Sequence, residues 1–436
     1  MSKLKFLNFV FILVCCLVYT SHCLARDYTD FEREYYIENI KKYTEEIKQN
    51  PNEALLYSAR GEAYYELGAY EQAIDDFTKS IALDNNNISA SSSYVYRAKA
   101  YKYIKKNDLA LQDFNKAIEL NKTYDGVYVA RGMFYYEINE DYKAIEDFTK
   151  VIEICSNDNK DYNDYYGYQE RGWVYDKIKQ YDKAIEDYNK SIKLDPKNSF
   201  VYYDRGLVYN RIKQYDKAIK DFTKSIQLNP KNYGAYYERV WIYNRLEEYD
   251  KAIADFTELI RLNPNEDNLY YYRGLIYDKL NQYDKAIEDY SKSIEINPNS
   301  GLYYLQRGLI YNKLEQYNEA IQDINMSIQL DPNNYVLYMY RSSIFSSQRN
   351  YNNALEDLTK AVQLNPNNYE IYYNRGLIFQ NINKLNNAIT DFSIAIKLNP
   401  NYIEAYISRA IIYLQLGDIS NANKDLDMVK TLNDSE

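Results

Sequence analysis

The chain has 436 residues, with 53 basic and 63 acidic side chains giving a net charge of −10. An acidic balance argues against nucleic-acid binding unless a basic stripe is segregated, and a single histidine with four cysteines leaves little for metal or nucleophile chemistry. Tyrosine is the outlier, at 54 residues.

Lys3 and Lys5 precede an apolar run from Phe6 to Tyr19, and Cys23-Leu24-Ala25 places small residues at the two positions that direct cleavage. Residues 1–25 therefore read as a secretory signal cleaved before Arg26. The alternatives are an uncleaved anchor, for which the run is short, and lipidation at Cys23, for which His22 is a poor neighbour. Cleavage removes the only histidine and three cysteines, leaving Cys155 alone, and shifts the balance to 51 basic against 63 acidic side chains, or −12. Such a mature chain has no imidazole for a triad or a metal site and no internal disulfide. It has no glycine-rich phosphate cradle and no further apolar stretch for an integral membrane domain. No catalytic, cofactor-binding or metal site is expected, and the expected location is periplasmic, lumenal or extracellular, with or without a tether.

Residues 26–53 read as a capping helix or half-unit, because Tyr43, Ile47 and Pro51 lie 34 residues before Phe77, Ile81 and Asn85. From residue 54 onward an arginine recurs at Arg60, Arg97, Arg131, Arg171, Arg205, Arg239, Arg273, Arg307, Arg341, Arg375 and Arg409, and the last seven intervals are each 34 residues. A fixed period of this size means a supersecondary unit that cannot bury its own apolar face and is stacked. Relative to each arginine there is a tyrosine three residues before, an aromatic four after, an alanine thirteen after and an aspartate sixteen after, from Tyr57, Tyr64, Ala73 and Asp76 onward. Tyr202, Arg205, Gly206 and Tyr209 share one helical face, as do Ala218, Phe222, Ser225 and Ile226, so each unit reads as two helices. Seven of the eight prolines, from Pro196 to Pro400, sit just past the second helix, where a stop belongs. The longer intervals of 37 and 40 residues place polar loops around Asn85 to Ser93 and Cys155 to Tyr166; Asp158, Asp161 and Asp164 lack EF-hand spacing and read as a solvated loop. In the last unit Asn423 and Lys430 replace the aliphatics at Ile219 and Ile226, which reads as a polar capping helix and a monomeric chain.

Tyr202, Gly206, Tyr209, Ala218, Phe222 and Pro230 together resemble the tetratricopeptide repeat, over about nine tenths of the chain. The resemblance implies an all-α, right-handed superhelical solenoid of about eleven helix-turn-helix repeats over residues 54–436, and a scaffold that binds protein or peptide. The departure is the arginine, standing where the family has leucine. Its aspartate suggests a structural ion pair, and the spacing allows Asp221 to reach either Arg205 of its own unit or Arg239 of the next; Asp255 stands in the same relation to Arg239.

In this family the first helices line the concave side. There the candidate groove runs Tyr203, Leu207 and Asn210, then Tyr237, Trp241 and Asn244, then Tyr271, Leu275 and Asp278. A basic row beside it includes Lys177, Arg211, Arg245, Lys279 and Lys313. Such a surface suits an extended peptide with some acidic character. The expected function is an exported, non-catalytic protein-interaction scaffold, with a secreted or surface-displayed factor engaging another cell as the alternative. A carboxylate-based glycan hydrolase is the remote one, and it would need two non-repeating carboxylates facing each other across the groove.

Overall fold

The computed structural model describes residues 30–84, 88–157 and 164–433, which form 23 α-helices and no strand. The proposed signal at 1–25 lies outside the described residues. A lone helix, Asp30–Gln49, precedes eleven helical hairpins, the first Ala54–Glu66 with Tyr70–Leu83 and the last Ile403–Gln415 with Ile419–Asn433. Among the described residues no helix is long and apolar enough to cross a membrane. The chain divides into two compact units, one ending at Leu228 and containing the first five hairpins, the other beginning at Asn229 and containing six.

The recurring columns are the parts of the hairpin. All eleven alanines of the second helices, from Ala73 to Ala422, are fully buried. The aromatic or aliphatic residue four positions later is equally enclosed from Phe77 to Phe392. Where glycine follows the arginine, this packing explains it: a Cβ on Gly206 would lie 2.7 Å from Cε1 of Phe222, and one on Gly376 would lie 2.6 Å from Cε1 of Phe392. The first helix can approach the second so closely only without that carbon.

Each hairpin turns through a left-handed residue eight positions after the arginine. Glycine fills that place only at Gly68 and Gly417; elsewhere Lys213 (φ 61°), Glu247 (φ 61°), Asn281 (φ 57°) and their counterparts adopt it. In the fifth hairpin the Gln214 amide donates to the Tyr209 carbonyl at 2.8 Å and the Lys213 amide to the Asn210 carbonyl at 3.0 Å, which is a Schellman closure of the helix end.

Two expectations need correction. Most of the insert expected as a loop from Cys155 to Tyr166 is helical where it is described: the second helix of the third hairpin runs Asp141–Asn157 and the next helix begins at Asp164. Of the described side chains there, Ser156 and Tyr166 are exposed while Cys155 is buried. Similarly, Ser91 and Ser93 are buried within the helix Ala90–Tyr103, where Ser93 donates to Ser58 at 3.1 Å. The last hairpin is also less polar than expected. Asn423 and Lys430 are exposed, but so are Ile411, Leu414 and Leu426 beside them, because no further first helix covers them.

Candidate peptide-binding face

All eleven arginines pair with the aspartate of their own hairpin through a two-pronged fork. Arg205 Nε donates to Asp221 Oδ2 and Nη2 to Oδ1, both at 2.7 Å; Arg239 holds Asp255 at 2.8 and 2.6 Å. The choice left open by spacing, own unit or next, is thus made for the own unit. In several repeats the third nitrogen, Nη1, reaches back to the preceding hairpin: Arg205 to Asn189, Arg273 to Thr257 at 3.0 Å and Arg307 to Ser291 at 2.9 Å. The rings of Tyr202 and Tyr209 flank the Arg205 guanidinium, each 5.8 Å away. Burial alone would lower the guanidinium pKa, but Asp221 outweighs it and holds it above the ordinary value. With Asp221 only 3% exposed, this arrangement clamps the two helices of a hairpin and, through the Nη1 bonds named above, ties those hairpins to the ones before them.

The groove residues divide into floor and rim. In the first unit Leu207 is buried, and Tyr203 is half-buried with its ring 5.9 Å from that of Phe222. In the second, Trp241 stands edge-on to Tyr272 at 4.8 Å and to Phe256 at 5.9 Å, while Tyr237 meets Trp241 at 6.1 Å. Tyr271 packs on Tyr272 and Tyr303, each at 5.3 Å, and Leu275 packs against the core around Tyr290. The expected aromatic anchors are therefore largely committed to stacking one repeat on the next, because successive first helices bring these positions into contact. Asn210 and Asn244 remain half-exposed, and Arg211, Arg245 and Lys279 are exposed.

Three of the five cations of the basic row are paired with carboxylates. Arg211 donates to Asp176 and Lys313 to Asp278 at 2.5 Å, each carboxylate belonging to the preceding repeat. Lys177 donates to Asp141 at 2.6 Å, and Lys279 reaches the Tyr249 hydroxyl at 3.4 Å. Repeat-to-repeat pairing thus offsets the charge of Lys177, Arg211 and Lys313.

One cluster in the first unit escaped sequence reasoning. The residue just before the arginine is Glu170 in the fourth repeat and Asp204 in the fifth, where Ala59, Tyr96 and Ala130 stand in the first three. Both acids are buried, at 6% and 5% exposure. Gln169 Nε2 donates to Asp204 Oδ2 at 3.0 Å, and Asn198 Nδ2 in turn donates to Gln169 Oε1 at 3.1 Å. Burial pushes the Asp204 carboxyl up to about 7, against the stabilising bonds from Gln169 and Trp173. Burial and then the Asp204 charge push Glu170 up to about 7, opposed by a bond from Tyr166. No donor reaches Glu170 Oε2 or Asp176 Oδ1. Nearby, the Tyr136 and Trp173 rings stack at 6.5 Å, and Lys177 Nζ sits 4.3 Å from the centre of the Tyr136 ring. The signal that could have found this cluster is a break in a column: three successive acids, Glu170, Asp204 and Glu238, at a place where the earlier repeats carry none.

The two buried acids, Glu170 and Asp204, are gathered within one stack of successive first helices. Among the described residues, no group of three histidine, cysteine, aspartate or glutamate side chains is arranged to hold a metal ion.

Comparison with known proteins agrees with this architecture. Tetratricopeptide repeat patterns match residues 54–87, 165–198, 199–232, 268–300, 302–334 and 369–402, and further ones match 91–124, 126–158, 233–266 and 343–383. The chain is 41% identical over 81 residues to the translocon at the outer membrane of chloroplasts 64 of Pisum sativum, covering 19% of this chain and 13% of that protein. It is 32% identical over 89 residues to the Hsp70-Hsp90 organizing protein 3 of Arabidopsis thaliana, covering 20% and 15%. Each alignment thus spans a small part of the relative's own length. Among solved structures it is similar to MamA protein, at 29% identity and a TM-score of 0.36 over 39% of this chain and 93% of that one.

Proposed function

The chain belongs to the tetratricopeptide repeat family, and from that premise we propose that it is a non-catalytic interaction scaffold that binds protein or extended peptide along its first helices. One observation carries this reading. The positions that build each hairpin are nearly constant, whereas the inner-face positions change from repeat to repeat over a packed aromatic floor. Trp173, Leu207, Trp241 and Leu275 succeed one another at one such position, and Asp176, Asn210, Asn244 and Asp278 at another. A packed floor bordered by a rim of amides and charges is the usual anatomy of a recognition surface. One relative is named for organising Hsp70 and Hsp90, which supports a partner made of protein.

We also propose that the scaffold is exported, on the strength of Lys3, Lys5, the apolar run and the small residues before Arg26. A mature N-terminus at Arg26 in protein recovered from its own cells supports this; an intact Met1 on soluble intracellular protein refutes it. The binding reading is tested by retention of peptides from a library of random decapeptides on the full chain and on a chain carrying Asn210→Glu and Asn244→Glu. It expects the substitutions to change which peptides are retained. Identical sets would refute it.

A further inference from the structure

The inner face between the third and fifth hairpins carries an excess of negative charge that its own cations do not absorb. Four carboxylates, Asp141, Glu170, Asp176 and Asp204, meet two cations there. Lys177 is well held, donating to Asp141 at 2.6 Å and to the Tyr136 carbonyl at 2.9 Å while lying over the Tyr136 ring. Arg211 is held differently. It engages Oδ2 of Asp176, its side chain is 44% exposed, and Asp176 Oδ1 receives no donor. Glu170 Oε2, in a side chain more than nine-tenths buried, also receives none. A carboxylate oxygen left dry and without a donor is a standing penalty that a cation with several N–H groups relieves.

Building on the peptide-binding reading above, we propose that Glu170, Asp176 and Asp204, beside the stacked Tyr136 and Trp173 rings, form a subsite for the guanidinium or ammonium of a basic residue in a bound peptide, and that Arg211 is its resident occupant. The chemistry is already present in miniature: Lys177 shows a cation lying over the Tyr136 ring with the Asp141 carboxylate beside it. A planar guanidinium can stack on an indole or phenol face while its fork bonds carboxylate oxygens. Arg211 is the exchangeable partner because its side chain, 44% exposed, can swing into solvent while Asp176, 12% exposed, stays in place. Its departure opens Asp176 and leaves the neighbourhood more negative.

The subsite is tuned by protons. Glu170 is faced by Tyr166 from its own helix, Tyr136 from the third hairpin and Asp204 from the fifth. Asp204 is faced by Gln169, Trp173 and Asp176 from the fourth and by Arg211 from its own helix. Loss of protons from this pair strengthens cation binding, so affinity for a basic peptide rises between pH 5.5 and pH 8.

The test screens the random decapeptide library against the full chain and then compares each retained peptide with a version in which arginine is replaced by citrulline, its neutral isostere, by isothermal titration calorimetry. The expected retained peptides are enriched in arginine and lysine, and citrulline weakens them about tenfold, the scale of one charge-assisted contact. Arg211→Ala tightens binding several-fold by removing the competitor, while Glu170→Gln with Asp204→Asn removes both the citrulline effect and its pH dependence. Neutralising buried acids does not threaten folding, which circular dichroism melts verify. Peptides retained without basic enrichment, or unaffected by citrulline, overturn the subsite while leaving the binding face intact. Retention of no peptide of any class overturns both.

Discussion

Replacing Asp221 with alanine removes both fork bonds to Arg205 at 2.7 Å from a site where the carboxylate is 3% exposed. Breaking a buried ion pair by deleting one partner costs about 3 to 5 kcal/mol, because the remaining charge is left without compensation. Here the lower end applies, near 3 kcal/mol, since the Arg205 side chain keeps 17% exposure and its bond to Asn189. A stacked array need not unfold in one step, so the readout is local: hydrogen exchange of the amides of Tyr215–Leu228, compared with those of the distant last hairpin. The pair exchange Arg205→Met with Asp221→Leu supplies the control. Replacing a buried pair by apolar side chains of similar volume is often neutral or better, so the double variant should recover protection to within about 1 kcal/mol of the parent. A single-variant loss well below 1 kcal/mol would show that the fork is a surface pair and not a clamp. A double variant as weak as the single would show that the charges supply something packing cannot.

Gly206→Ala drives a carbon to 2.7 Å from Phe222 and should cost about 1 to 3 kcal/mol in the same exchange measurement. Lys213→Gly relieves a left-handed residue at φ 61°. The relief of about 1 to 2 kcal/mol is partly offset by the entropy of the unfolded glycine, leaving a net gain of up to about 1 kcal/mol in chemical denaturation. The buried acids invert the usual pH dependence. Their folded pKa values are raised to about 7, so the stability they contribute is present at low pH and lost as pH rises toward 7. From pH 5 to pH 8 the first unit should lose on the order of 3 kcal/mol per acid at most. Glu170→Gln with Asp204→Asn should flatten that slope, and equal slopes in parent and variant would refute the assignment.

The fold was legible because its columns are constant and chemically distinct. An alanine that must be enclosed and a glycine pressed against Phe222 can each be recognised by spacing alone. The left-handed turn was not legible, since Lys213, Glu247 and Asn281 share no side-chain chemistry and only the backbone unites them. The inner face was half legible. Period placed Tyr203, Leu207 and Trp241 on one stripe, but whether a stripe is open or roofed depends on the neighbouring first helix, which a single repeat does not reveal. The same limit hid Glu170 and Asp204, whose burial comes from helices in adjacent repeats.

The central claim, that partners are met on the first helices, is tested most directly by placing a photo-crosslinking amino acid at single positions of the full chain. Asn210 and Asn244 probe the inner face, while the exposed Gln227 and Arg261 probe second helices. In extract from its own cells, the account predicts discrete protein or peptide adducts at Asn210 or Asn244 that are absent at Gln227 and Arg261. Adducts formed equally at all four positions, or at the second helices alone, would contradict it.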